Sequence, residues 1–206
     1  MMPYKPHDRY FKKAKHEGYR SRAAYKLIEL QQRFHVMKRG DTVIDLGAAP
    51  GGWLQVAADI VGTTGKVLGV DLQPIKPFGA ANILLVQGDI TSTELLQRAR
   101  DLLGRPADAV LSDLAPRLSG LRDVDAARCL DLNRTALLVA TGLLRPGGAL
   151  LVKSFVNAEL QTFTRELKQY FASVQRIRPE ATRQGSSELY FFARGFHPSR
   201  EARNPD

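Results

Sequence analysis

Four charged residues have the types and positions that proton transfer at an oxygen requires: Lys26, Asp113, Lys153 and Glu188. Asp113 follows an apolar run, Ala107 to Leu111, and Lys153 follows another, Ala149 to Val152. Both therefore sit at the carboxyl ends of expected strands, where open α/β sheets bind their ligands. Lys26 lies between Tyr25 and Leu27 in a helical stretch, and Glu188 opens the last expected strand. Transfer of a group to a hydroxyl oxygen needs that oxygen oriented and partly deprotonated; a lysine base whose geometry is fixed by acids supplies both. Taken singly, each of the four reads as one half of a surface ion pair, and the sequence alone does not bring them together.

The elements that position them are organised around Asp45-Leu46-Gly47-Ala48-Ala49-Pro50-Gly51-Gly52-Trp53. Thr42-Val43-Ile44 before it reads as a buried strand. Leu54, Val56, Ala57, Ile60 and Val61 after it form an apolar stripe at helical spacing. The glycines thus lie in a strand-to-helix turn, where the backbone can pass close to a ligand. The turn departs from the dinucleotide fingerprint G-x-G-x-x-G, with Ala49 in place of the second glycine. Asp45 would also repel a pyrophosphate placed beside it. A ligand with cationic groups and no phosphate fits better, and S-adenosylmethionine has both properties. The plainer alternative is a glycine turn that only reverses the chain.

Further along, Lys66 to Asp71 reads as the second strand. An acid in the place of Asp71 accepts hydrogen bonds from ribose hydroxyls in Rossmann-like folds. Asn82 to Val86 is a third strand leading to Asp89, which could accept from an adenine amino group. Helices are expected over Ser21 to about Phe34 with Ser21 as N-cap, over Thr91 to Leu103, over Asp125 to Leu144 and over Ala158 to Phe171. Arg145-Pro146-Gly147-Gly148 should stop the third of these. Ser173 to Ile177 and Leu189 to Ala193 complete the strands and, with no helix between them, should pair antiparallel. This alternation implies a mostly parallel α/β sheet with helices on both faces and an antiparallel hairpin at its C-terminal end.

The composition narrows the classes. A chain of 206 residues with 44% apolar content is most simply one soluble domain. The only cysteine, Cys129, excludes an internal disulfide framework and a cysteine-based zinc site, and no metal site is expected. No apolar run approaches ~18–20 residues, so no membrane span is expected, and a basic N-terminus without an apolar core is no secretory signal. The expected location is the cytoplasm, and the expected state a monomer, because no long apolar helix face is left over. The net charge of +9 is concentrated at the start: residues 1–39 hold eleven Lys/Arg against three acids. Tyr4, Tyr10, Phe11, Tyr19 and Tyr25 are interleaved with these charges. That mixture suits phosphate neutralisation beside base stacking, so residues 1–20 read as a basic RNA-binding arm, of which residues 1–18 lack clear periodicity. Some of the aromatics could instead dock the arm on the domain. Arg176, Arg178 and Arg183 would flank the same pocket.

Taken jointly, Arg20-Ser21-Arg22-Ala23-Ala24-Tyr25-Lys26-Leu27, the Asp45–Trp53 loop, Ser112-Asp113-Leu114-Ala115-Pro116 with Ser119-Gly120, and Leu151-Val152-Lys153 resemble the FtsJ/RrmJ-type ribosomal RNA large-subunit 2′-O-ribose methyltransferases. The resemblance spans roughly residues 8–195. It implies a Rossmann-like class I methyltransferase fold, a seven-stranded mostly parallel sheet with a C-terminal antiparallel strand, and S-adenosylmethionine as cofactor, held at Gly51, Trp53, Asp71, Asp89 and Asp113. It implies a Lys26-Asp113-Lys153-Glu188 tetrad with Lys153 as proton acceptor. The implied activity is 2′-O-methylation of a uridine in large-subunit ribosomal RNA, with the assembled large ribosomal subunit as partner. The chain departs from the family pattern at Ser154-Phe155-Val156-Asn157 and in the lead-in to Glu188, Thr182 to Ser187, which is one basic residue poorer. Both departures bear on RNA contacts.

Other classes fit less well. A nicotinamide oxidoreductase is opposed by Ala49 and Asp45, and a base-amino methyltransferase by the missing aromatic in Asp113-Leu114-Ala115-Pro116. A 2′-O-methyltransferase for another RNA and a non-catalytic RNA-binding assembly factor are the remaining alternatives.

Overall fold

Thr42, Val43, Ile44, Asp45 and Leu46 are all buried, as befits a central strand covered on both faces. The computed structural model describes residues 9–116, 119–182 and 185–198, and in it this strand, β1 (Thr42–Leu46), pairs in parallel with two neighbours. These are β2 (Lys66–Asp71) and β4 (Ala107–Ser112), with β3 (Ile83–Gln87) parallel beyond β2. On the other side come β5 (Leu144–Phe155), parallel to β4, then β7 (Glu188–Phe196) and β6 (Phe171–Ile177), both joined antiparallel. The order β3-β2-β1-β4-β5-β7-β6 is that of a Rossmann-like class I methyltransferase sheet, as expected from the sequence.

Helices α2 (Ala24–Phe34) and α3 (Gly52–Val61) cover one face, where Leu27, Leu30, Trp53, Leu54, Leu111 and Tyr190 share a core. Helices α4 (Thr93–Leu103), α5 (Arg122–Leu143) and α6 (Leu160–Lys168) cover the other, around Ile44, Val110, Leu150, Phe163 and Phe191. Among the described residues no helix is long and apolar enough to cross a membrane.

Several expectations need correction. The stretch thought to lack periodicity contains a helix, α1 (Arg9–His16). Its Tyr10 and Ala14, four residues apart, pack on Tyr25 and Ala181, which gives a short basic helix the apolar contact it needs to persist. Tyr19 also packs edge-on against Tyr25, so these aromatics dock the segment onto the domain. Tyr4 lies outside the described residues. Ser21 is not an N-cap: α2 begins at Ala24 without a side-chain cap, and Ser21 sits against Gly52. Arg145-Pro146-Gly147-Gly148 belongs to β5, since Leu144 is already paired with Ala107; the ladder shifts register over these residues. Helix α4 is capped by Ser92, whose hydroxyl accepts from the Leu95 amide at 3.0 Å.

Candidate active site

Strand register assembles the charged set. In the β5–β7 ladder Lys153 faces Tyr190, and Phe155 faces Glu188. Residues two apart on a strand share a face, so Glu188, Tyr190 and Lys153 all point toward α2. Asp113 follows β4 directly, and its amide donates to the Leu46 carbonyl at 3.2 Å, extending the β1–β4 ladder by one step. The Lys153 ammonium reaches both the Asp113 carbonyl, at 2.5 Å, and its Oδ1, at 3.0 Å. Lys153 is 7% exposed, so this charge is desolvated and its pairing with Asp113 is what makes the burial tolerable.

The second pair comes from α2. Lys26, also buried, places Nζ 2.5 Å from Glu188 Oε1. Between the two pairs stands Tyr190, fully buried, whose hydroxyl donates to Asp113 Oδ1 at 2.8 Å. Burial pushes this phenol well above its usual pKa, and the Asp113 and Glu188 carboxylates beside it add to the effect, so it remains a donor. Trp53 packs on the Tyr190 ring, 5.8 Å between centroids, and its indole N–H donates to the Ala23 carbonyl at 2.8 Å. Helix α2 is further pinned by Glu29, which accepts from the amides of Glu180 and Ala181 in the segment leading to β7. Lys26, Asp113, Lys153 and Glu188 thus stand together as two ion pairs with Tyr190 between them, its hydroxyl on Asp113 and its ring centroid 6.0 Å from Lys26 Nζ. Tyr190 was missed in the sequence, although its place two residues after Glu188 is the signal that would have found it.

The residues expected to meet a cofactor line the adjoining loop. The Gly47 and Ala48 amides donate to the Val70 carbonyl, and the Ala49 amide donates to Asp71 Oδ2 at 2.9 Å. Asp71 Oδ1 accepts from Gln73, so this carboxylate shapes the loops as well as facing the pocket. Asp89 is exposed, with Oδ1 taking both the amide and the hydroxyl of Thr91, which hold its pKa below the usual carboxylate value. Trp53 has its side chain committed to Ala23 and Tyr190, which leaves its backbone for any ligand. Gly51 has φ +112°, and a Cβ there would come within 2.5 Å of the Phe78 ring. Asp45 is completely enclosed, and neither oxygen has a partner among the described residues. Burial, with Asp113 and Asp71 close by, raises its pKa well above the usual value. Such a carboxylate at a strand's carboxyl end suits a cationic group on a ligand.

Of the expected basic flank, Arg176 is exposed, Arg178 donates to the Ser186 carbonyl, and Arg183 lies outside the described residues. Two clefts of about 560 and 540 Å³ open on the opposite edge of the sheet. Their cations close chain ends there: Lys66 donates to the carbonyls of Leu102 and Leu103, and Arg194 to those of Phe34 and His35.

With this geometry in place, comparison with known proteins is decisive at the family level. A family model described as FtsJ-like methyltransferase matches residues 19–196. The chain belongs to this family. FtsJ-like relatives include a protein of Methanothrix thermoacetophila named ribosomal RNA large subunit methyltransferase E, 51% identical over 89% of this chain and 70% of its own length. A protein of the same name from Methanobrevibacter smithii is 43% identical over 98% of this chain and 96% of its own. Among solved structures, a Plasmodium falciparum protein provisionally described as a ribosomal RNA methyltransferase superposes with a TM-score of 0.77. It is 25% identical, over 88% of this chain and all of that one. The FtsJ-like match begins at Tyr19 and ends at Phe196, so it takes in Lys26, Asp113, Lys153, Glu188 and Tyr190 and leaves out α1.

Proposed function

We propose that this chain methylates the 2′-hydroxyl of a uridine ribose in large-subunit ribosomal RNA, using S-adenosylmethionine. The observation that carries this reading is the buried Lys153 amine, held by Asp113, with Tyr190 standing between it and the Lys26–Glu188 pair. The names borne by the 51% and 43% identical relatives supply the substrate class.

The pocket's chemistry suits the cofactor. Enclosed and unpartnered, the Asp45 carboxylate favours cationic groups, and Asp71 and Asp89 stand at successive strand ends where ribose and adenine would be read. Gly51 and the Trp53 backbone would pass against it, with Asp113 at its reacting end. When bound, the cofactor supplies an electrophilic methyl group on a sulfonium. The chain's residues do the rest. The ribose oxygen gains the methyl group and loses its proton, which Lys153 accepts in its neutral form. Asp113 fixes the amine's direction, Tyr190 fixes Asp113, and Lys26 with Glu188 orients the ribose. The whole chain acts as one methyltransferase domain, with residues 1–20 and the loop before β7 toward the RNA. Its setting in this proposal is a monomer on the large subunit in the cytoplasm.

The test is transfer of a labelled methyl group from S-adenosylmethionine to large subunits lacking endogenous modification, followed by nucleoside analysis. Label in 2′-O-methyluridine is the expected result; label on a base would overturn the ribose assignment, and none despite cofactor binding would point to a non-catalytic assembly factor. Lys153→Ala should lower the rate by about 10²-fold or more while S-adenosylhomocysteine still binds. Full activity in that variant would remove Lys153 from the role of base.

A further inference from the structure

Arg20 belongs to the basic N-terminal stretch, yet its guanidinium is turned inward. Nη1 donates to the carbonyls of Lys76, at 2.5 Å, and Pro50, at 3.3 Å; Nη2 donates to that of Pro77, at 2.8 Å. Its flat face lies 3.5 Å from the centroid of the Phe78 ring. The Arg20 amide donates to Gln55 Oε1 on α3, and Gln55 Nε2 donates back to the Gly18 carbonyl. The side chain thus joins three segments: the N-terminal stretch, the glycine loop at Pro50, and the loop after β2.

That last loop is held in its middle by Ile75 and Phe78, which pack against the core, and by few backbone ties. Residues 72–82 form neither helix nor strand, and Pro74 and Pro77 have no N–H to donate. Its first residues are tied by Gln73 to Asp71 and by Gln87 to the Leu72 carbonyl. At Lys76 and Pro77 the tie is Arg20. Phe78 then seats over Gly51, where any side chain would collide with it. A guanidinium is suited to this task because it forks to several carbonyls and stacks on an aromatic face at once. Three of its five N–H donors are thus engaged by carbonyls of the pocket wall.

We infer that Arg20 is a positioning residue of the cofactor pocket, clasping the loop after Asp71 to the glycine loop and thereby setting affinity for S-adenosylmethionine. This rests on the methyl-transfer reading above. It also makes the N-terminal stretch part of the cofactor wall, so that segment's order and cofactor binding support each other.

The test uses the full chain. S-adenosylhomocysteine is titrated calorimetrically into wild type, Arg20→Ala, Arg20→Lys and Phe78→Leu, and RNA binding is measured across salt concentrations. Arg20→Ala should weaken S-adenosylhomocysteine binding about 10-fold or more, given its several charge-assisted bonds. The KM for cofactor should rise in step, kcat at saturating cofactor should fall by less than about threefold, and the salt slope of RNA binding should stay unchanged. Arg20→Lys should rescue only part of the loss, because an ammonium cannot fork and stack. Phe78→Leu, which keeps an apolar cover over Gly51, should also weaken binding, and it decides the matter should Arg20→Ala fail to fold. Unchanged cofactor affinity with weaker RNA binding and a salt slope shallower by about one charge would make Arg20 a phosphate ligand and overturn the clasp. A wild type that binds no S-adenosylhomocysteine would instead overturn the methyl-transfer reading itself.

Discussion

Lys153 and Tyr190 stand opposite each other across the β5–β7 ladder and end on the same atom, Oδ1 of Asp113. One carboxylate oxygen therefore receives an ammonium and a buried phenol together. The phenol cannot ionise near neutral pH, because burial and the flanking Asp113 and Glu188 carboxylates oppose it. It is a fixed donor that sets where Asp113 points, and through Asp113 where Lys153 points.

Tyr190→Phe tests this directly. Removing one bond to a charged acceptor should slow methyl transfer about 10- to 100-fold, with little change in the KM for cofactor. Single-turnover rates would show it; a change under about twofold would mean the hydroxyl has no hold on the base.

Asp45→Asn should separate stability from function. An acid whose folded-state pKa is raised holds its proton more tightly folded than unfolded, so it destabilises the fold once pH rises above the unfolded value of about 3.9. The cofactor-free variant should therefore melt higher than wild type at pH 7, with the gap closing toward pH 4. Its affinity for S-adenosylhomocysteine should fall. Melting curves across pH would check the sign, and a variant less stable at neutral pH would show that the carboxylate has a partner after all.

Asp108 carries the opposite sign at the far edge of the sheet. Burial pushes its pKa up, but the Thr42 amide, Arg145 and Arg105 outweigh this and hold it below the usual carboxylate range. A depressed folded-state pKa gives stability above the unfolded value that is lost as pH falls through the folded one. Asp108→Ala should lower unfolding free energy by about 3 kcal/mol at neutral pH, with the difference shrinking in acid. Denaturant titration gives the number, and S-adenosylhomocysteine affinity should not move.

Helix α1 exposes Lys12 and Lys15, whereas Lys13 lies 4.8 Å from the centroid of the Tyr25 ring. If this helix faces RNA, replacing Lys12 and Lys15 with Ala should weaken binding in low salt and reduce the slope of log K against log salt by about one to two. An unchanged slope would place the RNA elsewhere.

What could be read in the chain was what lies close in sequence. The β1–glycine–α3 turn shows in one continuous stretch, and Asp71, Asp89 and Asp113 each show as an acid closing an apolar run. Contacts that depend on register do not show. Tyr190 meets Asp113 across 77 residues, and Arg20 meets Pro77 across 57, so neither pairing is marked locally; the one hint is that Tyr190 shares a strand face with Glu188. Helix α1 escaped notice because Tyr10 and Ala14 make too short an apolar stripe to show as a period, and one of their counterparts, Ala181, lies far along the chain. Ser21 looked like a cap because its type is right, but its place is decided by the space over Gly52.

The last strand in chain order, β7, lies between β5 and β6 and carries both Glu188 and Tyr190. Without β7, β5 would bear an open edge and the Lys153–Asp113 pair would lack its phenol. The charged set is thus complete only where β7 has paired with β5, so the candidate site is a product of the finished sheet rather than of its parallel half.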